Sequence, residues 1–113
     1  MFVRCAYFEG TVHTGEKDRF ERLVMEQIAP KMLCFPAIRR LEFYFSCDFE
    51  TPERNICLCI EHTYDSREDI DAAITSDARA AMQADLEELL ALFEGRVYHV
   101  NNEVLAVRLA ERS

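Results

Sequence analysis

The sequence lacks the long apolar stretches that mark membrane and secreted proteins. No apolar segment approaches the ~20 residues that a bilayer-spanning helix needs, and the start, MFVRCAYFEG, is too short an apolar run for a signal peptide. We therefore expect a cytoplasmic protein with no membrane partner. Linkers, repeats and low-complexity segments are also missing, which predicts one domain over residues 1–108 and a short C-terminal tail over 109–113.

Basic residues are scarce. The chain has 13 Lys and Arg against 21 Asp and Glu, a formal net charge of −8. Its basic residues are scattered, with Arg39-Arg40 as the only adjacent pair, and no basic run is interleaved with aromatics. Because phosphate backbones are repelled by an acidic surface, we expect no nucleic-acid partner.

Cysteine is present in an odd number, five, at irregular spacing. Most lie in apolar, strand-like runs, where a free thiol behaves as a small buried hydrophobe, and this favours a reducing compartment. The spacing Cys57-x-Cys59-x-x-His62 suggests a metal site. However, alternation along a strand puts His62 on the face opposite the two cysteines, so we predict no metal.

The last third of the chain, residues 76–104, organises the predicted fold. Its apolar positions recur at helical spacing (Met82, Leu86, Leu89, Leu90 and Phe93). Ser76 is a candidate N-cap, Gly95 a candidate C-cap, and a strand rich in β-forming residues follows over 97–100. The spacing therefore predicts an amphipathic helix that packs against the sheet its own continuation joins, with the last strand reaching towards Val107.

The remaining segments give the order of strands and helices along the chain. We predict a strand over 2–8, a helix capped by Thr14 that ends or kinks near Ala29 before Pro30, and a hairpin of two strands over 39–48 and 55–64. A short helix follows the cap at residues 65–68 and ends near Ile74. The order β-α-β-β-(α)α-β predicts a ferredoxin-like α+β fold (split βαβ), a four-stranded antiparallel sheet with helices on one face.

The other sheet face is left uncovered in this arrangement. We expect it to carry apolar and aromatic side chains, which include Tyr44, Cys57, Cys59 and Tyr98 or Val97. A second copy of the sheet would cover them, so we predict a homodimer through the open sheet face. Glu42 and Glu61 fall on the same face, either as interface ion pairs or as an acid/base carboxylate pair.

Four segments resemble the dimeric α/β-barrel superfamily, and within it the EthD-like and antibiotic-biosynthesis-monooxygenase-like small proteins. They are Phe8-Glu9-Gly10, Glu26-Gln27-Ile28-Ala29-Pro30-Lys31, Pro36-Ala37-Ile38-Arg39-Arg40-Leu41 and Phe93-Glu94-Gly95-Arg96-Val97. Where EthD-like members often carry His-x-Pro, this chain has Ile28-Ala29-Pro30. The resemblance implies a dimeric barrel and, for the monooxygenase relatives, oxidation of flat polyketide-like compounds without metal or flavin.

His99 is the favoured catalytic base. If Val97, His99 and Asn101 share one face of the last strand, the imidazole could take a proton from a phenol while the carboxamide of Asn101 steadies the anion, with Asn101 or Tyr7 orienting the ligand. The alternative is a structural histidine bonded to a backbone carbonyl or a cross-strand partner.

Seven further residues are candidates for ligand binding: His62, His13, Phe20, Phe43, Phe45, Met82 and Leu86. The aromatic and aliphatic members line the space between helices and sheet, where they are core residues unless the first helix tilts away and opens a pocket. His62 has the alternative of a satisfied core histidine, and His13 that of an exposed loop residue rather than a lid.

Two functions are compatible with these residues. The first is a cofactor-independent monooxygenase-like or related enzyme that acts on a small apolar aromatic or polyketide-like compound, with no bound cofactor. The second is a non-catalytic dimeric protein that binds small ligands or is associated with stress.

Overall fold

The computed structural model describes residues 1–51 and 53–111, which form a four-stranded sheet with helices on one face. The strands are β1 (Phe2–Val12), β2 (Arg40–Phe45), β3 (Ile56–Tyr64) and β4 (Phe93–Glu103). The helices are α1 (Lys17–Leu23), α2 (Ala29–Met32), α3 (Arg67–Ile74), α4 (Asp77–Ala80) and α5 (Gln83–Ala91). The sheet order is β2-β3-β1-β4 and every neighbouring pair is antiparallel, so the predicted ferredoxin-like fold is confirmed.

The core lies between the sheet and the helices. Alternation along β3 directs Leu58, Ile60, His62 and Tyr64 to the helix side, where all four are buried. The helices contribute Phe20, Val24 and Ile28 from the first helical segment and Met82 and Leu89 from the last. The ion pair between Lys31 and Asp85, 2.5 Å from Nζ to Oδ2, joins these segments at the surface. No described helix is long and apolar enough to cross a membrane.

The first helical segment does not end near Ala29, but its regular α-helical geometry is interrupted just before Pro30, the other of the two predicted outcomes. Residues Val24–Ile28 form a π-helical turn between α1 and α2, and the segment runs to Met32 rather than stopping near Ala29. Pro30 is tolerated because it sits in the first turn of α2, where a missing N–H costs little. The predicted cap at Thr14 was wrong: Glu16 is the N-cap, and its side chain makes no capping hydrogen bond.

The last helix is interrupted, and β4 begins earlier than predicted. Ser76 caps α4 by accepting from the Arg79 amide, as predicted, but Ala81 and Met82 separate α4 from α5. Phe93 and Gly95 belong to β4 rather than to the helix and its cap. Gly95 pairs with Gly10 of β1, and a Cβ on Gly95 would lie 2.1 Å from the Glu9 carbonyl oxygen. This glycine therefore permits close approach of two strands.

The chain after β4 has no regular structure among the described residues. Phe2, the first residue of β1, pairs with Glu103, and one residue further the Val104 amide donates to the Met1 carbonyl oxygen at 2.9 Å, where the neighbouring strand begins. The expected continuation towards Val107 is therefore not seen. Leu105 and Leu109 are 98% and 89% exposed. Arg112 and Ser113 of the predicted tail, like Pro52, lie outside the described residues.

The sheet face away from the helices carries polar and aromatic groups. Tyr7 and Tyr98 stack there with ring centroids 5.2 Å apart. Glu42 and Glu61 oppose each other across β2 and β3, and the Tyr44 hydroxyl donates to Glu42 at 2.6 Å. Arg40 also pairs with Glu42, at 2.7 Å, so these carboxylates form a surface network in the single chain.

Candidate functional site

A cavity of about 520 Å³ opens between the helix side of the sheet and helices α2 to α5. This volume is typical of sites for small organic ligands. Its apolar walls include Ala6, Phe8, Ile60 and Val97 from the sheet and Met32, Phe35, Ile74, Met82, Leu86 and Leu90 from the helical side. Its polar groups are Arg4, His62 and His99 from the strands and Thr75, Ser76, Arg79 and Gln83 from the helical side.

Strand register gathers the polar groups of the sheet. Arg4 on β1 pairs with His62 on β3 and with Asn101 on β4, while the next inward residue of β1, Ala6, pairs with His99. Side chains that are cross-strand neighbours share one face of a sheet. The structure therefore brings Arg4, His62, His99 and Asn101 together on the face that the cavity covers.

His62 is buried in the floor of the cavity, with only 6% of its surface exposed. Its Nδ1 lies 3.3 Å from the Tyr64 hydroxyl, and its ring centroid lies 5.8 Å from that of Phe35. Burial, and then the charges of Arg4 and His99, lower the pKa of His62 to about 4. We assign Tyr64 as the donor because a buried phenol needs an acceptor, which places the proton of neutral His62 on Nε2.

His99 lies at the edge of the cavity, on the outermost strand. The residue is exposed to solvent at this edge. Desolvation of its buried part, and then the positive charges of Arg4 and Arg79, lower its pKa below the usual value for histidine. Its ring makes no hydrogen bond to another described residue. A neutral imidazole with an unoccupied nitrogen can accept a proton from a bound ligand.

Asn101 shares this face but is already engaged within the protein. Arg4 donates from Nη1 to the Asn101 carboxamide oxygen at 3.1 Å. The carboxamide oxygen of Asn101 therefore holds the Arg4 guanidinium, and Asn101 itself is not among the residues that line the cavity. Arg4 is the one charged residue in the otherwise apolar run Phe2–Phe8. A single charged residue on an inward-facing strand position was the signal that could have identified it.

Met82 and Leu86 line the cavity as predicted, but five other candidates do not: Tyr7, Phe43, His13, Phe20 and Phe45. Tyr7 alternates with Ala6 and Phe8, so its ring is on the open sheet face against Tyr98 and away from the cavity. Phe43 packs against the core.

His13, Phe20 and Phe45 line a second cavity of about 570 Å³ at the opposite end of the sheet. His13 is exposed in the loop after β1, whereas Phe20 is a fully buried core residue. The structure thus does not bring these three residues together with His99. Three residues that line the cavity, Arg4, Phe35 and Arg79, were not predicted from the sequence. Arg79 lies on the short helix α4, and nothing in the spacing of residues there indicates that it faces a cavity.

The cysteines lie apart from the cavity. Cys59 projects from the open face of β3 while His62 projects from the helix side, and no described group of three or more His, Cys, Asp or Glu is arranged to hold a metal. Burial, and then Cys5 and Glu61, raise the pKa of Cys59 to about 11. A thiol with such a pKa is protonated at neutral pH and is a poor nucleophile.

The fold and cavity define a class of small ferredoxin-like α+β proteins with a ligand-sized space between sheet and helices. Solved structures with this fold are similar to the chain along nearly its full length. An EthD family protein from Bacillus halodurans is 19% identical, with a TM-score of 0.73 over 93% of this chain and all of the other. A monooxygenase from Streptomyces coelicolor, in complex with the ligand nanaomycin D, is 15% identical, with a TM-score of 0.70 over 97% of this chain and 92% of the other.

A dimeric ferredoxin-like protein of unknown function from Bacteroides fragilis is also similar, 17% identical with a TM-score of 0.68 over 91% of this chain and 95% of the other. The expected resemblance to EthD-like and monooxygenase-like proteins is therefore confirmed as a similarity of fold. No protein-family model matches the chain, and no curated protein matches it significantly.

Proposed function

We propose that the protein binds a small, largely apolar aromatic or polyketide-like compound in the cavity beside His99 and oxidises it with molecular oxygen, without a bound cofactor. The carrying observation is the position of His99, which lines an apolar cavity of about 520 Å³ with a lowered pKa. The fold similarity to monooxygenases, one of them in complex with nanaomycin D, supports the proposal.

The chemistry requires a substrate that becomes electron-rich when it loses a proton. His99 takes a proton from a phenol or from an activated CH₂ group, and the resulting anion gives electrons to O₂ to form a hydroperoxide. The proton held by His99 returns to the peroxide oxygen as this hydroperoxide forms. Loss of water from the hydroperoxide then converts the CH₂ group to a carbonyl, so that CH₂ and O₂ become C=O and H₂O. All the electrons come from the substrate.

His62 supports this step by stabilising the anion. With Nδ1 facing the Tyr64 hydroxyl, Nε2–H remains a hydrogen-bond donor, and the low pKa of His62 keeps the ring neutral. A neutral donor fixed in a dry cavity stabilises developing negative charge without having to reorganise.

Oxygen uptake tests the catalytic role of His99. Phenolic, anthrone-like compounds are offered to the wild type, to His99→Ala and to His13→Ala, the last a matched control because His13 is an exposed histidine outside the cavity. We expect His99→Ala to lower the rate by roughly 10²- to 10⁴-fold, the usual contribution of a general base, and His13→Ala to leave it unchanged. An undiminished rate in His99→Ala would show that His99 is not the base.

The second candidate function, a non-catalytic protein that binds small ligands or is associated with stress, predicts a different result in the same assay. The cavity is mostly apolar and contains no carboxylate among its described lining residues, which suits binding as well as turnover. Tight binding by the wild type without oxygen consumption would therefore favour this function over oxidation.

We also propose that the protein is a homodimer through the open sheet face. That face presents Tyr44 and Val100, which are 47% and 40% exposed, beside the stacked Tyr7–Tyr98 pair. The similarity to a dimeric ferredoxin-like protein supports the proposal. In native mass spectrometry we expect a wild-type dimer, a monomeric Val100→Asp variant and a dimeric Met25→Asp control. Met25 is a comparably exposed apolar residue on the helical layer. A monomeric wild type would contradict the proposal.

A further inference from the structure

Two arginines face the candidate cavity from opposite sides. Arg4 projects from β1 on the helix side of the sheet, and Arg79 belongs to α4, which covers that side. Both line the cavity. Each guanidinium is held by a neutral carboxamide: Arg4 donates from Nη1 to Asn101 at 3.1 Å, and Arg79 donates from Nη1 to Gln83 at 3.1 Å.

Neither arginine has a counter-ion among the described residues. The ion pairs of the described chain involve neither Arg4 nor Arg79, and no described Asp or Glu lines the cavity. The chain has 21 Asp and Glu against 13 Lys and Arg, yet none of the described acidic residues lines this cavity. Placing a guanidinium in a partly dry cavity without a carboxylate is unfavourable unless something else compensates the charge.

The surroundings of Arg4 increase its need for an anion. Burial lowers the pKa of Arg4, and after an opposing effect of Tyr64, the positive charges of Arg67 and Arg79 lower it further. Arg67 is neutralised by Asp71, 2.6 Å away. His62 and His99, the other titratable groups of the cavity, have lowered pKa values and carry no negative charge. The cavity is therefore a positive region inside an acidic protein.

We infer that the ligand of this cavity carries a carboxylate, which binds between the guanidinium groups of Arg4 and Arg79 while its apolar body rests against Met82, Leu86 and Val97. The inference deepens the proposed function and rests on its assignment of the cavity as the ligand site. Guanidinium groups bind carboxylates through paired, charge-assisted hydrogen bonds. Asn101 and Gln83 act as positioning residues, since their carboxamides orient the arginines without neutralising them.

The test compares two probes of nearly equal shape, 2-naphthoate and 2-naphthamide, by isothermal titration calorimetry. We expect the wild type to bind the acid at least roughly tenfold more tightly than the amide. Arg4→Met and Arg79→Met should each weaken binding of the acid by roughly tenfold to a hundredfold, the usual worth of hydrogen bonds to a charged group. Both should leave binding of the amide within about twofold, since they keep the apolar part of the side chain.

Arg39→Met is the matched control, because Arg39 is exposed, pairs with Asp65 and does not line the cavity. It removes the same charge and should leave the affinity for both probes unchanged. Arg79 lies on an intermediate, partly exposed position of α4, so its variant remains informative if Arg4→Met does not fold.

Equal affinity for acid and amide, absence of acid binding, or acid binding that survives Arg79→Met would each overturn the inference. Failure of the oxidation is distinguishable from these results. Preference for the acid that depends on both arginines, without oxygen uptake from any phenolic acid, would support the carboxylate site and remove only the proposed reaction.

Discussion

Lowering the pH should destabilise this protein through His62. The side chain is buried beneath the cavity with a pKa of about 4, against an ordinary value of 6.5. Between these two pH values the unfolded chain binds a proton at His62 that the folded chain excludes. The stability associated with neutral His62 is therefore complete above pH 6.5 and is lost progressively as the pH falls towards 4.

The magnitude follows from the difference between the two pKa values. About 2.5 pKa units at about 1.36 kcal/mol each correspond to about 3 kcal/mol in total. Between pH 7.5 and pH 5.5 the unfolded chain takes up most of one proton at His62, which lowers the free energy of unfolding by about 1.4 kcal/mol. This is a considerable share of the ~5–15 kcal/mol by which small domains are usually stable.

Urea unfolding at both pH values, at one protein concentration, measures this effect. The matched variant is His62→Gln, which keeps an acceptor for the Tyr64 hydroxyl but cannot be protonated. The free energy of unfolding of the wild type should fall by about 1.4 kcal/mol more than that of the variant over this interval. An equal fall in both proteins, or an NMR titration of His62 with a midpoint near 6.5, would refute the reasoning.

Two further predictions concern packing. Gly95→Ala should lower the free energy of unfolding by about 2 kcal/mol or more, because its Cβ would meet the Glu9 carbonyl oxygen at 2.1 Å; Gly15→Ala, with no atom within 4 Å of its Cβ, should cost less in the same urea experiment. Leu89→Ala should cost about 3 kcal/mol because Leu89 is fully buried, whereas Leu90→Ala, at a residue 45% exposed, should cost under about 1 kcal/mol by thermal or urea unfolding. Equal losses within either pair would contradict the packing described.

The face of each strand could be predicted because alternation needs no tertiary information. Leu41, Phe43 and Phe45 alternate with Glu42 and Tyr44, which predicts one apolar and one polar face for β2, and the observed register agrees. The stripe in the first helix was likewise predictable, since Phe20, Leu23, Val24 and Ile28 recur at helical spacing and are all buried. The helix ends were less predictable. The π-helical turn before Pro30 and the break at Met82 depend on how these segments pack against the sheet.

In the candidate site, too, some residues could be selected from the sequence and others depend on tertiary packing. His99 and His62 could be selected from their residue type and strand position, but Tyr7 was placed with them although it lies on the other face. Tyr7 was selected for its side-chain chemistry alone. Because it lies between Ala6 and Phe8 on β1, strand alternation places its ring on the face opposite to theirs, away from the cavity. Arg79 was not foreseeable, because only the packing of α4 over the sheet brings it to the cavity.

By itself the sequence determined which side chains face the helices and in what order strands and helices follow, because both depend on periodicity along the chain. The tertiary structure alone decided that Arg4, His62, His99 and Arg79 share one cavity. These residues are far apart in the sequence, and their proximity arises from the register of three antiparallel strands and from the position of one short helix above them. The absence of a carboxylate among the described residues lining that cavity is a property of the folded arrangement, since 21 acidic residues were available to the chain.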